Sequence, residues 1–81
     1  MNVTVLLFAS IAEQAGTRRI CLPYQAGDTV ATVRDRLLET YPQLARFVPT
    51  LLYAINEDYA KAEDVVPANA TVALIPPVSG G

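Results

Sequence analysis

The stretch Thr71-Val72-Ala73-Leu74-Ile75-Pro76-Pro77-Val78-Ser79-Gly80-Gly81 decides how the rest of the chain must fold. Its first five residues are β-branched or aliphatic and read as a strand. Period two sends Val72 and Leu74 to one face and Thr71, Ala73 and Ile75 to the other. Pro76 and Pro77 then fix φ and remove two backbone donors, so neither a helix nor a central strand continues past them. The favoured continuation is extended and polyproline-like, and at ~3.1 Å per residue Pro76 to Gly81 spans roughly 19 Å. Gly80 and Gly81 carry no side chain, fit a channel too narrow for a Cβ, and leave the terminal carbonyl unhindered toward a nucleophile. The chain therefore divides into a body, residues 1–75, and an extended tail, residues 76–81. On chemistry alone this end reads either as a frayed terminus or as a working arm.

Upstream, the totals describe a body able to hold such an arm. Eighty-one residues make one domain, and a 52% share of hydrophobic residues supplies a core. No apolar run nears the ~18 residues of a membrane span, and the start lacks the basic-then-apolar pattern of a secretion signal. The single cysteine has no internal disulfide partner, which suits a reducing cytoplasm. Six Lys and Arg against eight Asp and Glu give a net charge of −2 and no basic stripe, arguing against nucleic acid. With no histidine in the sequence, Ser-His and Cys-His nucleophile pairs and the usual zinc sites are excluded. No glycine-rich phosphate loop appears either. Any catalytic groups must come from a partner.

Asn2 to Ala9 reads as a first strand, with Val3, Val5 and Leu7 on one face and Thr4, Leu6 and Phe8 on the other. Ser10 to Gly16 reads as a short helical turn or loop closing at Gly16. Arg18 to Pro23 is a second strand, placed at an edge or ending there by its proline. Cys21, mid-strand with no charged neighbour, reads as a small strand residue rather than a nucleophile. Asp28 or Thr29 caps a helix whose Val30, Val33, Leu37, Leu38 and Tyr41 share a stripe, and Pro42 ends it. Arg34, Asp35, Arg36 and Glu39 on the opposite side read as a solvated face. A connector with one possible helical turn at 44–47 comes next. Leu51 to Asn56 is a strand, Asn56-Glu57-Asp58 a turn, Tyr59-Ala60 a short return, and 61–70 a loop.

The resulting order, β-β-α-β-β-β, is that of an α+β fold, the β-grasp or ubiquitin-like arrangement. A mixed sheet of four to five strands carries one main helix on one face. Its first and last strands lie parallel at the centre. If the helix covers Val5, Leu7, Val72 and Leu74, then Leu6, Phe8, Ala73 and Ile75 share the open face, and an apolar patch of that kind marks an interface.

Val5-Leu6-Leu7-Phe8-Ala9, the Thr29-Val30 helix start, the Asn56 turn and the Pro76-Pro77-Val78-Ser79-Gly80-Gly81 ending resemble the small subunit of molybdopterin synthase, the MoaD-type sulfur carrier of the ThiS-like family. The likeness covers the whole chain, and the ending is its specific part. It implies that an ATP-using, E1-like (MoeB-like) enzyme adenylates the Gly81 carboxylate. A sulfur donor such as a cysteine desulfurase then supplies the sulfur of a thiocarboxylate. The tail, Pro76 to Gly80 included, would thread into a MoaE-like large subunit of a heterotetrameric synthase. That subunit binds the pterin precursor and accepts the sulfur. The resemblance also puts Phe8, Tyr59 and Ile75 on an apolar docking face, and it implies no cofactor held by this chain itself.

Two departures stand out. Relatives carry a Gly-Asp turn before the last strand where this chain has Ala68-Asn69-Ala70, and Asn69 can take the left-handed conformation instead. Ala12 replaces a common arginine, removing one polar contact to a partner. Two other functions share the same features: a ubiquitin-like modifier or tRNA-thiolation carrier using the same Gly-Gly end, and a β-grasp interaction module with an inert tail.

Overall fold

In the computed structural model, which describes residues 1–77, β1 (Asn2–Leu7) follows its alternation: Val3, Val5 and Leu7 are buried, and Thr4 and Leu6 are half-buried. The strand stops two residues short of the sequence reading, because Ile11 and Ala12 draw the next segment into the core as a helix. Phe8, still extended at φ −125° and ψ 151°, caps α1 (Ala9–Ala15) without any side-chain hydrogen bond. Gly16, at φ 77°, closes α1 in the left-handed conformation and donates its N–H to the Ala12 carbonyl. β2 (Arg19–Pro23) then returns antiparallel to β1.

α2 (Val30–Thr40) buries Val30, Val33 and Leu37, while Leu38 and Tyr41 are packed at its margin. Thr29 is the cap. Its Oγ1 accepts the Thr32 backbone N–H, and Thr32 Oγ1 accepts the Thr29 N–H, both at 3.2 Å. These two bonds satisfy orphan donors in the manner of a capping box. Pro42 stops α2 as expected, but the connector beyond it is longer than one helical turn: a 3-10 segment, Pro42–Thr50, with Leu44 buried. β3 (Leu52–Ile55) and β4 (Asp58–Ala60) are joined through Asn56 at φ 48° and Glu57 at φ 74°. Two left-handed residues between short strands make the hairpin turn whose twist matches its flanks. β5 (Thr71–Ile75) comes after a loop in which Asn69 stands at φ 61°, filling the glycine's role as expected.

Two charges placed on the solvated face of α2 are in fact tied down. Arg36 Nη1 donates to Asp28 Oδ2 at 2.8 Å and to the Pro23 carbonyl at 2.8 Å, and Nη2 donates to Asp28 Oδ1 at 3.1 Å. Asp28 is buried and also accepts the Gln25 N–H, so it anchors the β2–α2 turn rather than capping the helix. Arg34 Nη1 donates to the Tyr53 hydroxyl at 3.0 Å, linking α2 to β3. The loop 61–70 is irregular as expected, yet its carbonyls at Asp64 and Ala62 accept the free N–H groups of Val30 and Ala31. The helix start is thus covered by the loop, as its unpaired donors require.

The sheet order is β2-β1-β5-β3-β4. β1 and β5 pair in parallel at its centre, from Thr4↔Thr71 to Leu7↔Leu74, and β3 flanks β5 antiparallel. Val3, Val5, Leu7, Leu22, Tyr53, Val72 and Leu74 point to the side occupied by α2 and form one core with Val30, Val33, Leu37 and Leu44. Val78, Ser79, Gly80 and Gly81 lie outside the described residues.

Candidate functional site

Strand register fixes what the uncovered face of the sheet presents. Arg19, Leu6, Ala73, Ala54 and Tyr59 are successive partners across all five strands and therefore share one side. Leu52 pairs with Ile75 one row nearer the tail and shares that side. Phe8 continues β1 past the Leu7↔Leu74 pair in extended conformation, on the parity of Leu6. Tyr59 is 82% exposed, Leu52 50% and Phe8 45%, values that only an unpartnered surface gives such large apolar groups. Ala73 and Ala54 form a shallow floor between them. The anticipated open face, Leu6, Phe8, Ala73 and Ile75, is therefore the observed one.

Parallel pairing of β1 and β5 has a geometric effect on function. Both strands end on the same side of the molecule, so Phe8 and the Ile75-Pro76-Pro77 exit leave together. Pro76 is buried and Pro77 exposed, so the body grips the first proline and releases the second. Beside Phe8 lies an open groove of about 660 Å³ lined by Leu6, Leu7, Ala12, Glu13 and Arg18. Ala9 on its rim stands at φ 51°, a left-handed conformation that a Cβ-bearing residue rarely adopts. The Ala12 that replaces an arginine is buried at the groove's base.

Of the candidate site residues, Phe8, Tyr59 and Ile75 lie on one face, with Pro76 and Pro77 at its end. The expectations for Val78, Ser79, Gly80 and Gly81 fall outside the described residues. Leu52, Ala54 and Arg19 belong to the face and were not singled out from the sequence. β3 is apolar on both sides, so its parity says nothing until the Leu52↔Ile75 register is known. Cys21 is exposed on the edge strand, consistent with a small strand residue. Among the described residues no cluster of His, Cys, Asp or Glu has the makings of a metal site, and no helix is long and apolar enough to cross a membrane.

A β-grasp body with one helix-covered face, one bare apolar face and a strand running directly into a Pro-Pro lead defines the ubiquitin-like class. The chain belongs to the ThiS family, whose profile matches residues 5–81, and within it groups with the MoaD-type small subunits. It is 32% identical over 81 residues to the molybdopterin synthase sulfur carrier subunit of Arabidopsis thaliana, spanning 100% of this chain and 84% of that one. The crystal structure of SAMP1 from Haloferax volcanii superposes with a TM-score of 0.89 at 29% identity, covering all of both chains. The fold is shared also with a chain in the protein-protein complex of subunits 1 and 2 of molybdopterin-converting factor from Helicobacter pylori, TM-score 0.71 at 20% identity, again over 100% of each.

Proposed function

We propose that this chain is the sulfur-carrying subunit of a molybdopterin synthase, active through its Gly81 carboxylate and not an enzyme alone. The observation that carries this reading is the continuity of the bare sheet face with the tail exit: Leu6, Ala73, Leu52, Ile75 and Phe8 end where Pro76 and Pro77 depart. A partner that covers this face receives the tail at a fixed position and direction. The family and the name of the Arabidopsis relative support the assignment.

A carboxylate is a poor acyl donor. An E1-like partner would transfer AMP from ATP to one Gly81 oxygen, releasing pyrophosphate. A persulfide or sulfide sulfur then attacks the acyl carbon and displaces AMP. The resulting thiocarboxylate travels on the tail into the large, MoaE-like subunit, where the pterin precursor takes the sulfur. Pro76 and Pro77 cut the ordering cost of threading, and face docking turns a bimolecular encounter into a positioned one. No residue of the described body is asked to do chemistry, which suits a chain without histidine.

The test is intact-mass spectrometry after incubation with ATP, a sulfur donor and the activating enzyme. Exchange of one oxygen for sulfur adds about 16 Da, and deletion of Gly81 removes the gain with no change in melting temperature, since an extended end buries little. An unaltered mass with every activating enzyme, or a cooperative loss of stability on deletion, refutes the proposal.

The likeness to SAMP1, whose Methanosarcina acetivorans counterpart bears the full name small archaeal modifier protein 1, favours a second reading. In it the same activated end is conjugated to protein lysines or serves tRNA thiolation. Adding the large subunit and the pterin precursor separates the two. Molybdopterin forms under the first reading, whereas isopeptide-linked conjugates or thiolated tRNA appear under the second.

A further inference from the structure

We propose that the open sheet face is self-complementary, and that a second copy of this chain occupies it in a weak two-fold dimer. The proposal stands on the register of the sheet and is independent of the sulfur-carrier reading.

The order β2-β1-β5-β3-β4 makes β5 the middle strand, so a two-fold axis along β5 exchanges β1 with β3 and β2 with β4. Such an axis gives an isologous interface, in which each patch must fit its symmetry mate. The residues of the central row fit in that way. Arg19 of one copy meets Tyr59 of the other, Leu6 meets Ala54, and Ala73 meets itself. In the row nearer the tail Phe8 meets Leu52 and Ile75 meets itself. Each large side chain opposes a smaller or narrower one. The two alanines flanking the axis allow the sheets to approach closely, at the ~10 Å spacing of stacked sheets.

The outermost pair supplies the direction. Arg19 and Tyr59 are both exposed, and among the described residues the Arg19 guanidinium makes no ion pair. Stacked over a Tyr ring, a free guanidinium gains a cation–π contact, and the symmetry supplies two of them. A shifted or perpendicular arrangement loses both.

Size determines strength. Five strands at ~4.8 Å spacing and about five residues at ~3.3 Å give a patch of roughly 400 Å² per copy. The total of about 800 Å² is below the ~1,200 Å² of a stable complex. The dimer is therefore transient, half-formed at roughly 0.1–1 mM. It covers the face at high local concentration and yields it to any tighter partner. The two tails emerge at the same end, since the axis runs along the strands.

Sedimentation equilibrium of the full chain between about 10 µM and 2 mM tests this. The mass is expected to rise toward that of two chains. Arg19→Glu should weaken association about tenfold or more, and Arg19→Glu combined with Tyr59→Arg should restore most of it by reversing the pair. On dilution, NMR amide shifts should move at Leu6, Leu52, Ala54, Tyr59 and Ala73 and stay fixed along α2. A monomer at every concentration overturns the proposal. So does association insensitive to Arg19→Glu, failure of the double variant to recover, or shift changes centred on α2.

Discussion

The two faces of the central strands are built from nearly the same residue types and do opposite things. Val5, Leu7, Val72 and Leu74 are at most 2% exposed beneath α2, whereas Leu6, Ile75 and Leu52 on the reverse are half-buried or exposed. What separates them is a cover and not hydrophobicity. A leucine contributes to stability only when something lies over it, and one left bare is an offer to a partner. The contrast also divides roles: one face holds the fold together and the other serves the tail.

The sharpest way to break this comparison is to truncate the same side chain on each side. Leu74→Ala should cost about 2–5 kcal/mol in denaturant unfolding, because it opens a cavity in a packed core. Leu52→Ala should cost less than about 1 kcal/mol. Equal losses would mean that the two faces are not distinguished by burial.

The cover itself gives the next test. Arg36 holds the Asp28 carboxylate in two hydrogen bonds, which lowers its pKa below 3.8 against the opposing effect of burial; the Gln25 N–H and the Arg36 charge lower it further. A lowered native pKa means that the contribution is complete above the unfolded carboxyl value and lost as pH falls through the native one. Asp28→Asn should therefore cost about 1–3 kcal/mol at pH 7, the value of hydrogen bonds to charged groups, with Arg36 partly open to water. The gap between wild type and variant should close below about pH 4. A gap unchanged down to pH 2 would show that the pair does not hold the turn to the helix.

The smallest effect on stability comes from the exposed residue with the largest role in binding. Phe8→Asp should leave unfolding within about 0.5 kcal/mol of wild type, yet weaken capture by the large subunit at least tenfold, by calorimetry. Unchanged affinity would move the docking surface elsewhere.

Much of the fold is legible in the sequence, and the remainder is hidden for identifiable reasons. Period-two alternation in 2–7 and 71–75, the stripe of α2 and the Pro-Pro stop depend only on neighbours along the chain, so order and topology can be read from them. Asn69 is readable because the left-handed region admits few residue types. The Asp28–Arg36 pair is not, since one partner sits in a turn and the other two helical turns later, where charge ordinarily means solvation. α1 escapes because it has no polar cap and seven residues; tertiary burial of Ile11 and Ala12 holds it, not propensity. Leu52 joins the open face only through a register that no local pattern contains.

The central pairing of β1 with β5 has one more consequence, and it concerns the order of events during biosynthesis. Thr4 finds its partner at Thr71, so the middle of the sheet stays open until nearly the whole sequence has left the ribosome. The residues after Ile75 are tethered to the strand that completes the fold. An unfinished or misfolded molecule therefore has no rigid base from which to extend its end, and activating enzymes meet that end only on a finished body.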